Sequence, residues 1–250
     1  MALRTFKLFR GDASGGELLD YKIEVEKGMV VLDAIHRIQT EQANDLAVRW
    51  NCKAGKCGSC SMEINGKPKL ACMTRMNEYE SNEIISIRPI KTFPVVKDLT
   101  ADVSWNFEQN KRIIPIKPDP LQKDEKGNYR MYQEDVDRIQ EFRKCIECYL
   151  CQNVCHVLRE HDRKDNFVGP RFMIRLAGLD MHPLDQEDRI PAIKEDFGSG
   201  MCNITRCCTD VCPEHIQITD NGIIPMKERV VDRFYDPVIW LWKKVFGNSD

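Results

Sequence analysis

The first hundred residues place apolar side chains in short alternating runs. "RTFKLFR" and "YKIEVEKG" have the two-residue period of strands with one buried face, and "VVLDAIHRIQTEQ" has the three- and four-residue spacing of an amphipathic helix. In "SMEINGKPKLAC", Asn65-Gly66 stands between two strand-like runs and predicts a tight hairpin, because both residues accept the positive φ such a turn needs. A small β domain with one helix is therefore expected over residues 1–100. The period then fades: Pro94, Pro115, Pro118 and Pro120, with Pro89 just upstream, and the charged turn "KDEKGN" mark residues 101–135 as a connector with little core of its own. Helical spacing returns in "EDVDRIQEFRKCIECYLCQNVC", "PRFMIRLAGLDM" and "IPMKERVVDRFYD", which predicts a mainly α domain over residues 136–250.

Composition adds limits to that outline. The chain has 250 residues, 42% of them hydrophobic, enough to fill real cores. Its 37 basic and 39 acidic side chains are mixed along the sequence for a net charge of -2, which provides no broad surface for nucleic acid. Arg4, Lys7, Arg10 and Asp12 leave no apolar core for a signal peptide, so a cytoplasmic chain is expected. The apolar run "PVIWLW" falls far short of the roughly 20 residues that cross a bilayer.

The 12 cysteines change the picture most. In a cytoplasmic chain thiols stay reduced, so metal is a better use for them than disulfides, and they fall in three sets of four. "CKAGKCGSC" with Cys72 gives C-x4-C-x2-C-x11-C, the loop spacing of plant-type [2Fe-2S] sites, with Cys52, Cys57, Cys60 and Cys72 as ligands. Gly55 and Gly58 let that loop bend close to a cluster. Lys53 and Lys56 read as solvated loop residues, although they could offset thiolate charge. Zinc is the competing reading, but zinc sites use separated C-x2-C pairs.

"CIECYLCQNVC" is C-x2-C-x2-C-x3-C, the run that in two-cluster ferredoxins gives three ligands to one cluster and its fourth cysteine to the other. In "CNITRCCTDVCP", counting back from Cys212-Pro213 in the same register meets Cys208, then Thr205, then Cys202. Cys145, Cys148, Cys151 and Cys212 then form a [4Fe-4S] site. Cys155, Cys202 and Cys208 form a [3Fe-4S] site, because a threonine hydroxyl is not ionised at neutral pH and is a poor iron ligand. Cys207 is left as a spare thiol beside the cluster, and His156 and His215 as packing or surface residues.

This sequence of motifs resembles the iron-sulfur subunit of succinate dehydrogenase and fumarate reductase over nearly the whole chain. The eleven ligand positions match the family pattern, and "DNFVGPRFMIRLA" is similar to it as well. The resemblance implies an α+β fold: an N-terminal β-grasp plant-type ferredoxin domain, then an all-α bacterial-ferredoxin-like domain. It further implies an electron wire with no catalytic residue of its own, running from an FAD-containing flavoprotein subunit through [2Fe-2S], [4Fe-4S] and [3Fe-4S] to quinone at an integral-membrane, cytochrome b type subunit that could carry haem b. The chain would sit peripherally on the cytoplasmic face of the cell membrane, with "DPVIWLWKKVFG" as a candidate contact. FAD would reside on the partner, since no G-x-G-x-x-G loop is present. His156, Arg159 and Asn203 stand where ubiquinone-using relatives have proline, tryptophan and histidine, a departure that favours menaquinone. Two other readings stay open at this point: a thiol-linked fumarate reductase, marked by a longer cysteine-rich extension, and a self-contained ferredoxin, which would purify without partners.

Overall fold

The computed structural model describes residues 2–238. The aromatic segment beyond residue 238, expected as a membrane-partner contact, lies outside the described residues.

Strands β1 (Ala2–Asp12) and β2 (Gly15–Val25) form a long antiparallel hairpin, in register from Ala2↔Val25 to Asp12↔Gly15. Helix α1 (Val31–Glu41) follows and buries Leu32, Ile35 and Ile38 together with Phe6, Leu8 and Ile23 of the hairpin. Strands β3 (Ser61–Ile64) and β4 (Lys67–Leu70) are joined by Asn65 and Gly66 at φ of 49° and 73°, the left-handed pair the sequence predicts for this turn. Strand β5 (Ile85–Arg88) enters between β1 and β3, parallel to the first and antiparallel to the second, and closes a sheet of order β2-β1-β5-β3-β4.

The expected connector contains more structure than its prolines suggest. Strands β6 (Val95–Lys97) and β7 (Thr100–Ala101) pair, and helix α2 (Ser104–Arg112) follows. Phe93 and Val103 pack with Ile90 and Tyr149, Leu99 joins the core of the sheet, and Ile113 joins that of the helices. The pattern was hidden because α2 buries two polar residues, Asn106 and Gln109, instead of an apolar stripe.

The remainder is helical: α3 (Gln133–Arg143), α4 (Leu150–Asn153), α5 (His156–Arg159), α6 (Pro170–Asp180), α7 (Ile190–Glu195), α8 (Cys207–Asp210) and α9 (Ile224–Phe234). One helix across residues 134–155 does not form. Glu147 and Tyr149 take φ of 55° and 62°, which coils the backbone out of helix between α3 and α4.

Polar contacts lock sheet and helices together. Ser61 donates its hydroxyl to the carbonyl of Cys148 at 2.7 Å, and Asn153 donates to buried Glu63 at 2.8 Å. Arg159 pairs with the same Glu63 carboxylate at 2.8 Å, and Thr92 donates its N–H to Asn153 at 3.1 Å. Among the described residues no helix is long and apolar enough to cross a membrane.

Candidate metal centres

The first cysteine set lies on the loop between α1 and β3 and just after β4. Cys52 is exposed, Cys57 half-buried, and Cys60 and Cys72 buried. Gly55 and Gly58, at φ of 67° and 66°, allow the loop to fold back on itself. It thereby aims main-chain donors at sulfur: the N–H groups of Ala54 and Lys56 approach Cys52 Sγ at 3.4 and 3.3 Å, and Cys72 N–H approaches Cys60 Sγ at 3.5 Å. Burial pushes the Cys57 thiol up, but hydrogen bonds from Ser59 and Cys52 outweigh it and bring the pKa down to about 6. Lys53 lies over the Trp50 ring at 5.1 Å, and Lys56 pairs with Glu214 at 3.1 Å. Neither lysine is merely solvated, and the second ties this loop to the segment just past Cys212.

Cys145, Cys148, Cys151 and Cys212 line one small cavity, together with Arg171 and Ile218. Burial pushes Cys148 up to about 12 and raises Cys145 and Cys151 as well. Cys155, Cys202 and Cys208 line a second small cavity, whose wall also includes Thr205, Cys207 and Thr219. Burial pushes both Cys155 and Cys208 up to about 11. Such thiols stay protonated at neutral pH unless a positive centre replaces the proton, and iron does so. Among the described residues no three His, Cys, Asp or Glu side chains gather on one point as a single-ion site requires. The thiols are instead distributed around the walls of two cavities, and a donor set made of several thiols suits polynuclear clusters.

The two later runs are structural repeats. Positions 145, 148, 151 and 155 correspond to 202, 205, 208 and 212. Glu147 and Tyr149 flank Cys148 with positive φ, and Ile204 and Arg206 flank Thr205 in the same way, at 58° and 64°. Each left-handed pair leads into a four-residue helix, α4 or α8, with a valine at its C-cap. Thr205 therefore occupies the place of Cys148. Cys207, the counterpart of Leu150, is half-buried and donates its S–H to the Val154 carbonyl at 3.2 Å. Its one proton is thereby engaged, so the Thr205 hydroxyl, 3.2 Å from Cys207 Sγ, is the donor in that contact. His156 and His215 are both exposed.

Three features had no sequence signal. Arg171 is 5% exposed at the four-cysteine cavity. Thr219, fully buried in a π-helical turn over Ile218–Ile223, lies 3.4 Å from Cys208 Sγ. The third is the Glu63–Asn153–Arg159 cluster, whose members are remote in sequence.

Two family models match the chain: a 2Fe-2S iron-sulfur cluster binding domain over residues 5–108, and a 4Fe-4S dicluster domain over residues 141–216. An uncharacterized iron-sulfur protein of Methanococcus maripaludis is 32% identical across 86% of this chain, which spans only 42% of that longer protein. A Mycobacterium tuberculosis protein named fumarate reductase iron-sulfur subunit is 30% identical, the alignment covering 78% of this chain and 79% of the relative. A chain of the Mycobacterium smegmatis Sdh1 complex in the apo form superposes with a TM-score of 0.92 at 60% identity, covering 95% of this chain and 99% of that one.

Proposed function

The chain belongs to the iron-sulfur subunits of the succinate dehydrogenase and fumarate reductase family, and from that premise we propose that it carries electrons between an FAD-containing flavoprotein subunit and quinone at an integral-membrane, cytochrome b type subunit. When bound, the clusters supply one-electron redox chemistry. The protein's part is to hold them in line, isolate them from water and set their potentials.

In this reading Cys52, Cys57, Cys60 and Cys72 hold [2Fe-2S] within residues 1–100. Residues 101–135 connect that domain to residues 136–250, where Cys145, Cys148, Cys151 and Cys212 hold [4Fe-4S] and Cys155, Cys202 and Cys208 hold [3Fe-4S]. The observation that carries the proposal is the contiguity of the three sets. Ser61, next to Cys60, hydrogen-bonds the Cys148 carbonyl, and Cys151 and Cys155 line neighbouring cavities from one short stretch of backbone. Electrons entering at the exposed Cys52 loop have a continuous protein-bound route to the far side of the helical domain. Any haem b would belong to the membrane subunit, and the chain would sit peripherally on the cytoplasmic face.

The quinone is menaquinone in this reading. Arg159, which stands where ubiquinone-using relatives have tryptophan, is committed to Glu63 and Glu160 at 2.8 and 3.1 Å, so it offers no aromatic wall to a quinone ring. His156 and Asn203 line the three-cysteine cavity in place of proline and histidine.

Anaerobic purification with analysis of iron and acid-labile sulfide tests the proposal. About nine irons are expected, the sum of the three cluster types, with electron paramagnetic resonance (EPR) of an oxidised [3Fe-4S] cluster. Zinc in place of iron, or about two irons with a folded helical domain, would end it.

A further inference from the structure

The guanidinium of Arg171 is buried beside the four-cysteine cavity, with the residue 5% exposed. Nη2 pairs with Glu147, the residue just before Cys148, and the group stacks over Phe172 at 5.5 Å. Nε is buried and has no hydrogen-bond partner among the described residues. A charged donor enclosed in protein without an acceptor is costly, and structures rarely keep one unless something else fills the place. Here the wall that Arg171 shares with Cys145, Cys148, Cys151 and Cys212 supplies the candidate. Glu147 does not cancel the cation fully, since its side chain is 45% exposed and screened by solvent.

Arg171 is also held firmly. Its own N–H donates to the buried Gln152 side chain at 3.4 Å. Two residues earlier, Gly169 caps the start of α6 at φ of 84°, where an added Cβ would fall 2.0 Å from Gln152 Oε1. The start of α6 is thus pinned onto α4, the helix that contains Cys151.

We propose that Arg171 is the charged hydrogen-bond donor to the [4Fe-4S] cluster of this chain, and that it raises the reduction potential of that cluster. The inference rests on the ligand assignment proposed above. One-electron reduction adds one negative charge to the cluster and its thiolates. A fixed cation with a free N–H beside it stabilises the reduced form more than the oxidised form, the lever that outer-sphere hydrogen bonds and charge exert on iron-sulfur potentials.

The experiment uses the full chain, expressed with its partners and kept anaerobic, as the parent and as Arg171→Gln and Arg171→Lys. Iron content and an EPR-monitored redox titration are measured on each. In Arg171→Gln the reduction equilibrium of the four-iron cluster should fall about tenfold, close to 59 mV for a one-electron couple, with the [2Fe-2S] midpoint unmoved. Arg171→Lys, which keeps the charge, should recover most of the shift. An intact four-iron cluster with an unchanged midpoint in Arg171→Gln would overturn the proposal and leave Arg171 as a tether for Glu147. Should Arg171→Gln fail to assemble the cluster, pulsed EPR on the reduced parent, grown with arginine isotopically labelled at its guanidinium nitrogens, decides instead. A hyperfine coupling to the label is expected, and its absence overturns the proposal. A parent without any four-iron signal would instead refute the ligand assignment, a separate failure.

Discussion

Gly58 and Cys148 approach so closely that a Cβ on the glycine would lie 2.5 Å from the cysteine Cα and 2.8 Å from its amide nitrogen. The first cysteine loop therefore meets the second backbone to backbone, at a residue whose φ of 66° already favours glycine. Gly58→Ala faces both a left-handed strain and a clash that no side-chain rotation relieves. We expect a loss of about 2 kcal/mol or more, together with lower iron occupancy in both adjoining sites. Ser61→Ala removes a hydroxyl shared between the carbonyls of Cys148 and Gly58, at 2.7 and 2.9 Å, and should cost about 1 kcal/mol with iron retained. Thermal unfolding and iron analysis of the two variants check this, and equal behaviour would mean that the close approach is not what joins the loops.

Glu63 is buried between sheet and helices, and Arg159 is its only cationic partner among the described residues. Arg159→Ala should cost roughly 3 kcal/mol, because it strands a buried carboxylate. Adding Glu63→Gln to that variant removes the stranded charge while keeping an acceptor for Asn153, so the double variant should be more stable than Arg159→Ala alone. Urea unfolding of both decides. A double variant less stable than the single one would show that Glu63 contributes chiefly by means other than its pairing.

Much of this arrangement was legible in the cysteine spacing. The register that aligns Thr205 with Cys148 came from counting alone, and it matches the paired positive φ values on either side of both residues. The hairpin was legible because Asn65-Gly66 has a side-chain reason to turn. Glu147, Tyr149, Ile204 and Arg206 have none; they are ordinary residues bent by the need to wrap a cavity, so the helical pattern across residues 134–155 misled. Helix α2 escaped notice because its buried residues are polar. Arg171 escaped notice because an arginine inside an amphipathic helical pattern reads as surface, and only the fold reveals that this one faces inward.

The hydrogen bonds around Thr219 run in one direction. Thr219 N–H donates to Thr209 Oγ1 at 3.0 Å, and the Thr209 hydroxyl donates to Thr219 Oγ1 at 3.1 Å. The Thr219 proton is then left for Cys208 Sγ at 3.4 Å. A donor to a ligating thiolate stabilises the reduced cluster. Thr219→Val should lower the midpoint of the three-iron cluster by up to a tenfold change in the reduction equilibrium, about 59 mV. Thr219→Ser should restore it. An EPR-monitored titration makes the measurement, and equal midpoints in parent and Thr219→Val would show that the chain ends short of the sulfur.

The position of Thr205 gives the sharpest test of the register. It takes the place of Cys148 in the repeat, and its hydroxyl is spent on Cys207 rather than presented as an ionised ligand. Thr205→Cys should supply the missing thiolate, admit a fourth iron and convert [3Fe-4S] to [4Fe-4S]. The EPR signal of the oxidised three-iron cluster should then vanish while total iron rises by about one per chain. Cys207→Ser keeps a hydroxyl that can donate to the Val154 carbonyl, so it should leave every cluster in place. Cys208→Ser should destroy the three-iron cluster, because it removes a buried ligand from the cavity wall. If Cys207→Ser abolishes the signal while Cys208→Ser preserves it, the register is displaced by one residue. If Thr205→Cys leaves the signal and the iron content unchanged, the threonine does not stand at the vacant corner, and the likeness between the two runs stops at the backbone.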